Sequence, residues 1–81
     1  MQVAVQFFSY FRDLTGTERV NETLSPGATV EDLLKDIFAR FPKLAPMQQS
    51  MLIAVGVDYQ KKDFVLGEGD EVSLFPPVQG G

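Results

Sequence analysis

The groups with which this sequence could do chemistry lie at its last two residues, Gly80 and Gly81. The sequence contains no cysteine and no histidine, which removes the side chains that most often act as nucleophile, general base or metal ligand. The carboxylate of Gly81 is unreactive in acyl transfer until its oxygen is attached to a good leaving group. We therefore expect this carboxylate to be the working group, and we expect a partner protein to supply the catalytic side chains.

The residues before the two glycines are suited to present that carboxylate to a partner. Pro76 and Pro77 favour the extended polyproline geometry, which directs the chain away from a folded domain. The five residues after Pro76 span about 17 Å when extended, and glycine has no side chain to obstruct a narrow channel. The sequence thus predicts a domain over residues 1–76 and an extended tail over residues 77–81, although a frayed terminus would also end in such residues. The residues expected to enter a partner's channel are Pro76, Pro77, Val78, Gln79 and Gly80.

The composition excludes several classes of protein. With 81 residues, 44% hydrophobic residues and seven Phe, the chain is sufficient for one folded domain. A net charge of −4 gives no electrostatic basis for binding a nucleic-acid backbone. No segment approaches membrane-spanning length, and the first residues lack the pattern of a signal peptide. We expect a cytoplasmic protein that binds no nucleic acid, membrane or metal, since the absence of cysteine fits a reducing compartment.

Strands and one helix must position the tail. Apolar residues alternate with others near both ends of the chain, which is typical of strands with one buried face. Nearly continuous apolar residues in the third quarter of the chain predict a central strand. The predicted elements are strands near residues 3–8, 18–24, 52–57 and 71–75, a short edge segment at 64–66, a helical turn at 10–14 and an irregular connection at 43–50.

The main helix has clear start and stop signals. Thr29 is a candidate N-cap with Asp32 three residues later, and Pro42 disfavours helical geometry at Phe41. The apolar residues recur at helical spacing and predict one wide buried stripe; they are Val30, Leu33, Leu34, Ile37, Phe38 and Phe41. The order of elements predicts an α+β fold, with a mixed sheet of four to five strands covered on one face by one main helix. This order is that of the β-grasp fold of ubiquitin.

Residues 69–81 resemble the C-terminus of the small subunits of molybdopterin synthase, the sulfur carriers of molybdenum cofactor synthesis. The phrase Phe-Pro-Pro-Val-x-Gly-Gly at 75–81 is the strongest part of this likeness, and residues 7–16 and 29–33 support it. Members of that family often carry Asn where this chain has Gly56. Both residue types tolerate a positive φ, so the difference leaves the expected fold unchanged.

The resemblance implies a cycle at Gly81. A ubiquitin-activating-like adenylyltransferase uses ATP to adenylate the carboxylate, and a sulfur donor enzyme converts the acyl adenylate to a thiocarboxylate. The tail then enters the large, catalytic subunit of the synthase, where the sulfur is transferred to a cyclic pyranopterin precursor. No cofactor is expected to bind to this chain itself.

Strand alternation predicts a partner-binding surface. If Val3, Val5 and Phe7 face the helix, then Phe8 lies on the opposite face of the sheet, and Phe75 does so by the same argument. Isolated exposed aromatic residues are ordinary, but two beside the tail indicate an interface. Tyr59, which the sequence places at a turn, is a candidate third member of this patch.

Three other functions are compatible with the same features. A sulfur carrier for thiamine synthesis shares the predicted fold and the Gly-Gly end, although that family is usually shorter and lacks the residues Phe75, Pro76 and Pro77. A ubiquitin-related modifier would instead form adducts with protein lysines. A ubiquitin-like interaction module would not use Gly81, so a residue added after Gly81 would leave it active.

Overall fold

The computed structural model describes residues 1–77, which form a five-stranded sheet with a helix packed across one face. The elements are β1 (Gln2–Phe7), α1 (Phe11–Thr15), β2 (Arg19–Thr23), α2 (Val30–Arg40), a 3₁₀ helix (Pro42–Met47), β3 (Leu52–Val55), β4 (Asp58–Tyr59) and β5 (Glu71–Phe75).

The sheet is mixed, with the strand order β2-β1-β5-β3-β4. The first and last strands of the chain, β1 and β5, are parallel neighbours, and every other pair is antiparallel. This confirms the predicted α+β, β-grasp arrangement. The predicted central strand is β3, which lies between β5 and the edge strand β4 and has three of its four residues buried, while β5 occupies the middle of the sheet.

Helix α2 begins at the predicted capping box. The backbone N–H of Asp32 donates to the Thr29 hydroxyl at 3.3 Å, and the backbone N–H of Thr29 donates to the Asp32 carboxylate at 2.9 Å. The helix ends at Arg40, immediately before Phe41 and Pro42, because the proline ring disfavours a helical residue before it. The buried stripe is narrower than predicted. Four of its residues are buried, whereas Phe38 and Phe41 are only partly buried at its margin.

The core lies between α2 and the inward face of the sheet. Val5, Val72, Leu74 and Ile37 are completely buried there, which confirms the predicted alternation in β1 and β5. The opposite face of the sheet carries the other residues of each strand, and no helix of the described residues covers it. Side chains on that face are therefore available to a partner.

Two connecting segments differ from their predictions. Residues 43–50 are not irregular throughout, because they contribute to the 3₁₀ helix, whose Leu44 is completely buried in the core. The edge strand is Asp58–Tyr59 and not residues 64–66, where Val65 makes only a single bridge to Thr29. Gly56 has a φ of 63°, and this left-handed residue reverses the chain directly after β3.

The predicted tail at 77–81 lies mostly outside the described residues. Pro77 is the last of these, and Val78, Gln79, Gly80 and Gly81 follow it. Within residues 1–77, no helix is both long enough and apolar enough to cross a membrane.

Candidate partner-binding face

Phe8 and Phe75 form a stacked pair on the uncovered face of the sheet. Their ring centroids are 4.6 Å apart and their planes differ by 17°. Phe7 pairs with Leu74 in the parallel register of β1 and β5. The residues that follow them, Phe8 and Phe75, therefore lie side by side. The backbone N–H of Phe8 donates to the carbonyl of Leu74 at 3.1 Å and fixes this alignment.

Tyr59 joins the pair from the edge of the sheet. It lies in β4 and not in the turn where the sequence placed it, and its ring is 6.5 Å from that of Phe75 at an angle of 72°. The Tyr59 residue is 70% exposed, whereas Phe8 and Phe75 are half-buried. The structure therefore brings all three predicted residues together as one aromatic cluster (Phe8, Phe75 and Tyr59). Their role in binding stays a prediction.

A groove beside this cluster was not predicted. It has a volume of about 450 Å³ and is lined by Ser9, Tyr10, Leu52, Tyr59, Phe75, Pro76 and Pro77. We name it the tail-root groove, because two of its lining residues are those from which the tail departs. Leu52 lies opposite Phe75 in the register of β3 and β5. Strand alternation could have placed it on the uncovered face, because its neighbour Ile53 is buried. Tyr10 could not have been placed in this way, because its position depends on the turn after β1.

That turn contains an unusual backbone conformation. Ser9 has a φ of 55°, the only positive value for a residue other than glycine in residues 1–77. This region is unfavourable for a residue with a Cβ atom. The conformation reverses the chain between Phe8 and Tyr10, so that Phe8 contributes to the aromatic cluster and Tyr10 to the wall of the groove.

Charged residues border the other side of Phe8. Arg12 pairs with Glu18 at 3.3 Å, and Arg19 pairs with Glu71 at 3.0 Å. All four side chains are at least half exposed, so these pairs contribute little to stability. They give the face a charged margin beside its aromatic centre.

In residues 1–77 no set of three His, Cys, Asp or Glu side chains is placed to hold a metal ion. Asp32 lies in the capping box of α2, where hydrogen bonds from Thr29 lower the pKa of its carboxyl group. The Gly81 carboxylate, which the sequence predicts to be the working group, lies outside the described residues.

Curated relatives match this chain over nearly its whole length. The molybdopterin synthase sulfur carrier subunit of Chlamydomonas reinhardtii is 36% identical, and the alignment covers 100% of both chains. The protein of that name in Escherichia coli is 37% identical and covers 98% of this chain and 99% of its own. Small archaeal modifier protein 3 of Haloferax volcanii is 30% identical over 100% of both chains.

Solved structures agree with the fold. The putative molybdopterin converting factor subunit 1 of Pyrococcus furiosus superposes with a TM-score of 0.88 at 34% identity, covering 96% of this chain and 99% of its own. A chain in the complex of subunits 1 and 2 of the molybdopterin-converting factor of Helicobacter pylori gives a TM-score of 0.70 at 26% identity, with both chains fully covered. The model of the ThiS family matches residues 5–81. From this match and these relatives, the chain belongs to the ThiS family.

Proposed function

We propose that this chain is the sulfur carrier subunit of a molybdopterin synthase, with the Gly81 carboxylate as the group that carries sulfur. The observation that carries the proposal is the end-to-end alignment with a relative of that name at 36% identity. The aromatic cluster supports it, because Phe75 directly precedes the Pro76-Pro77 segment that leads to the tail. A docked partner would therefore receive Gly81 close to the cluster.

The chemistry at Gly81 has three steps. In the first, a carboxylate oxygen attacks the α-phosphorus of ATP on a ubiquitin-activating-like adenylyltransferase and pyrophosphate leaves. Hydrosulfide delivered by a donor enzyme then attacks the acyl carbon and displaces AMP, which leaves a thiocarboxylate. The thiocarboxylate sulfur finally attacks a carbon of a cyclic pyranopterin precursor and forms a thioester. Water then cleaves the bond between the acyl carbon and the sulfur, which leaves the sulfur on the precursor and returns the Gly81 carboxylate. AMP supplies the leaving group that the free carboxylate lacks.

The large subunit of the synthase is the proposed docking partner. The related Helicobacter pylori chain forms a complex of subunits 1 and 2, which supports a partner of this kind. The aromatic cluster is the proposed centre of the contact, since aromatic residues are enriched at the buried centre of interfaces. The large subunit would supply the catalytic side chains, and this chain would bind no cofactor of its own. We place the cycle in the cytoplasm.

Sulfur carriage for molybdopterin is favoured over carriage for thiamine. The relatives from an alga and a bacterium both bear the molybdopterin synthase name, and each alignment covers at least 98% of both chains. The segment Phe75-Pro76-Pro77 was the feature that separated the two carriers in the sequence.

Conjugation to proteins is a second candidate function. It is favoured by the 30% identity to small archaeal modifier protein 3 over the full length of both chains. The same acyl adenylate would then react with a lysine amine instead of a sulfur nucleophile. Covalent adducts of this chain on cellular proteins, absent when Gly81 is deleted, would establish that function.

Reconstitution of the synthase reaction tests the main proposal. The chain is loaded with its activating enzyme, ATP and a sulfur donor, then mixed with the large subunit and the cyclic precursor. We expect molybdopterin to form. A matched variant with one alanine added after Gly81 should be inactive, because its terminal carboxylate is displaced by one residue. Equal activity of the extended variant would refute the role of Gly81.

A further inference from the structure

The tail-root groove differs in charge from other surface hollows of residues 1–77. None of its seven lining residues is charged. Three other hollows are each lined by three charged side chains, among them Asp32, Lys35 and Arg12. Because burying a charge without an oppositely charged or hydrogen-bonding partner is costly, the groove is suited to an uncharged, apolar occupant.

The walls of the groove are aromatic and accessible. Tyr10 is 40% exposed and Tyr59 is 70% exposed. A tyrosine ring is rigid and offers a large contact area at little cost in side-chain entropy, while its hydroxyl group tolerates water at the rim. Leu52 lies opposite Phe75 in the register of β3 and β5, which adds an aliphatic surface to the same groove.

The position of Tyr10 is fixed before any partner binds. Its ring meets the completely buried ring of Phe11 edge-on, at 5.4 Å and 89°. Its carbonyl accepts hydrogen bonds from the N–H groups of Asp13 at 3.0 Å and Leu14 at 3.1 Å. A wall that is already ordered loses little freedom on binding, so contact with it adds directly to affinity.

The location of the groove identifies which protein supplies the occupant. Pro76 and Pro77 form part of its lining, and the tail departs from them. Whatever fills the groove thus lies beside Pro77, and under the proposed function the protein that docks there to receive the tail is the large subunit. We propose that Tyr10 and Leu52 hold an apolar side chain of the large synthase subunit and so contribute to the affinity for that partner. This inference rests on the proposed function.

Site-specific crosslinking tests the identity of the occupant. Tyr10 is replaced by the photoreactive p-benzoylphenylalanine, which keeps an aromatic ring at that position, and the complex with the large subunit is irradiated. We expect an adduct with an aliphatic or aromatic residue of the large subunit. Adducts confined to Val78 of the same chain, to a second copy of this chain, or to charged residues of the large subunit would overturn the proposal.

Affinity measurements test the contribution of Tyr10. Tyr10→Ala should weaken binding to the large subunit about tenfold, whereas Tyr10→Phe should retain wild-type affinity because it keeps the ring. Val57→Ala is the matched control, since Val57 is 98% exposed at the hairpin between β3 and β4 and does not line the groove. We expect no change for this variant.

The controls separate failure of the groove from failure of the function. If the wild-type chain binds the large subunit and Phe75→Ala weakens binding while Tyr10→Ala does not, the groove proposal alone is refuted. If the wild-type chain neither binds the large subunit nor acquires sulfur at Gly81, the proposed function fails. If Tyr10→Ala disturbs folding in a denaturant titration, the crosslink from position 10 decides the question, with the outcomes given above.

Discussion

Phe8 and Phe75 stack at 4.6 Å although 66 residues separate them in the chain. The contact exists because β1 and β5 are parallel neighbours, so that their C-terminal ends lie side by side. Phe75 immediately precedes Pro76 and Pro77, so the stack ties the point where the tail departs to the first strand of the domain. Under the proposed function, a partner that receives the tail would meet this pair of rings.

Replacement of Phe75 should separate binding from folding. Phe75→Ala removes one ring of the stack and should weaken binding to the large subunit by about 2 kcal/mol, roughly thirtyfold. Calorimetric titration measures this loss. The fold should lose less stability than it does when a buried residue is truncated, since Phe75 is only half-buried.

Leu74 is the matched control for Phe75, because it is the neighbouring residue on the opposite face and is completely buried. Leu74→Ala should lower the free energy of unfolding by about 2 to 5 kcal/mol. Unimpaired binding by Phe75→Ala together with destabilisation as severe as that of Leu74→Ala would contradict the assignment of Phe75 to the interface.

Two adjacent residues of α2 should differ in their effect on stability. Ile37 is completely buried, and Ile37→Ala should cost about 2 to 5 kcal/mol through lost burial and a cavity. Phe38 is only partly buried at the margin of the core, so Phe38→Ala should cost less in spite of its larger side chain. Denaturant titration of both variants measures the two losses of stability. A larger loss for Phe38→Ala than for Ile37→Ala would show that the helix face assigned to the core is incorrect.

The capping box should give the fold a dependence on acid pH. Hydrogen bonds from the backbone and side chain of Thr29 hold the pKa of the Asp32 carboxyl below its ordinary value. The folded pKa is the lower one, so this stabilisation is fully present above the unfolded pKa of about 4 and is lost as the pH falls through the folded pKa. Asp32→Asn should therefore flatten the decline in stability at acid pH.

Asp36→Asn is the control for that prediction, since it removes the same charge from α2 but lies outside the capping box. Unfolding curves measured from neutral pH down to about pH 2 compare the three proteins. An acid profile of Asp32→Asn identical to that of the wild type would show that the carboxylate of Asp32 does not stabilise the helix.

Deletion of Gly81 should abolish sulfur transfer without unfolding the domain. The hydrophobic core of the described residues ends at Leu74, so the last glycine is not needed for it. We expect an unchanged unfolding midpoint and no molybdopterin in the reconstituted reaction. A deleted chain that still produces molybdopterin would remove Gly81 from the mechanism.

Local signals explain which parts of the fold could be predicted. Thr29, Asp32 and Pro42 act within a few residues of themselves, and they located α2 correctly. Strand β5 was equally clear, since its alternation is bounded by a turn and by Pro76. The 3₁₀ helix was not predicted, because its formation depends on the burial of Leu44 against residues that are distant in the sequence. No local sequence pattern reveals that contact.

The same distinction applies to the binding face. Alternation along β1 and β5 placed Phe8 and Phe75 on one face, and the register of the sheet then brought them into contact. Tyr59 was placed in a turn because a two-residue edge strand leaves almost no pattern. The wall formed by Tyr10 depends on the left-handed backbone of Ser9, a conformation that the residue type itself does not favour.

The intact mass of the chain, measured after incubation with its activating enzyme, ATP and a sulfur donor, tests the central claim most directly. We predict a mass increase equal to the difference between one sulfur and one oxygen atom, with fragmentation locating the change at Gly81. The increase should be absent without ATP and absent when one alanine follows Gly81. An unchanged mass under complete loading conditions, or an added sulfur atom located at any residue other than Gly81, would contradict the account.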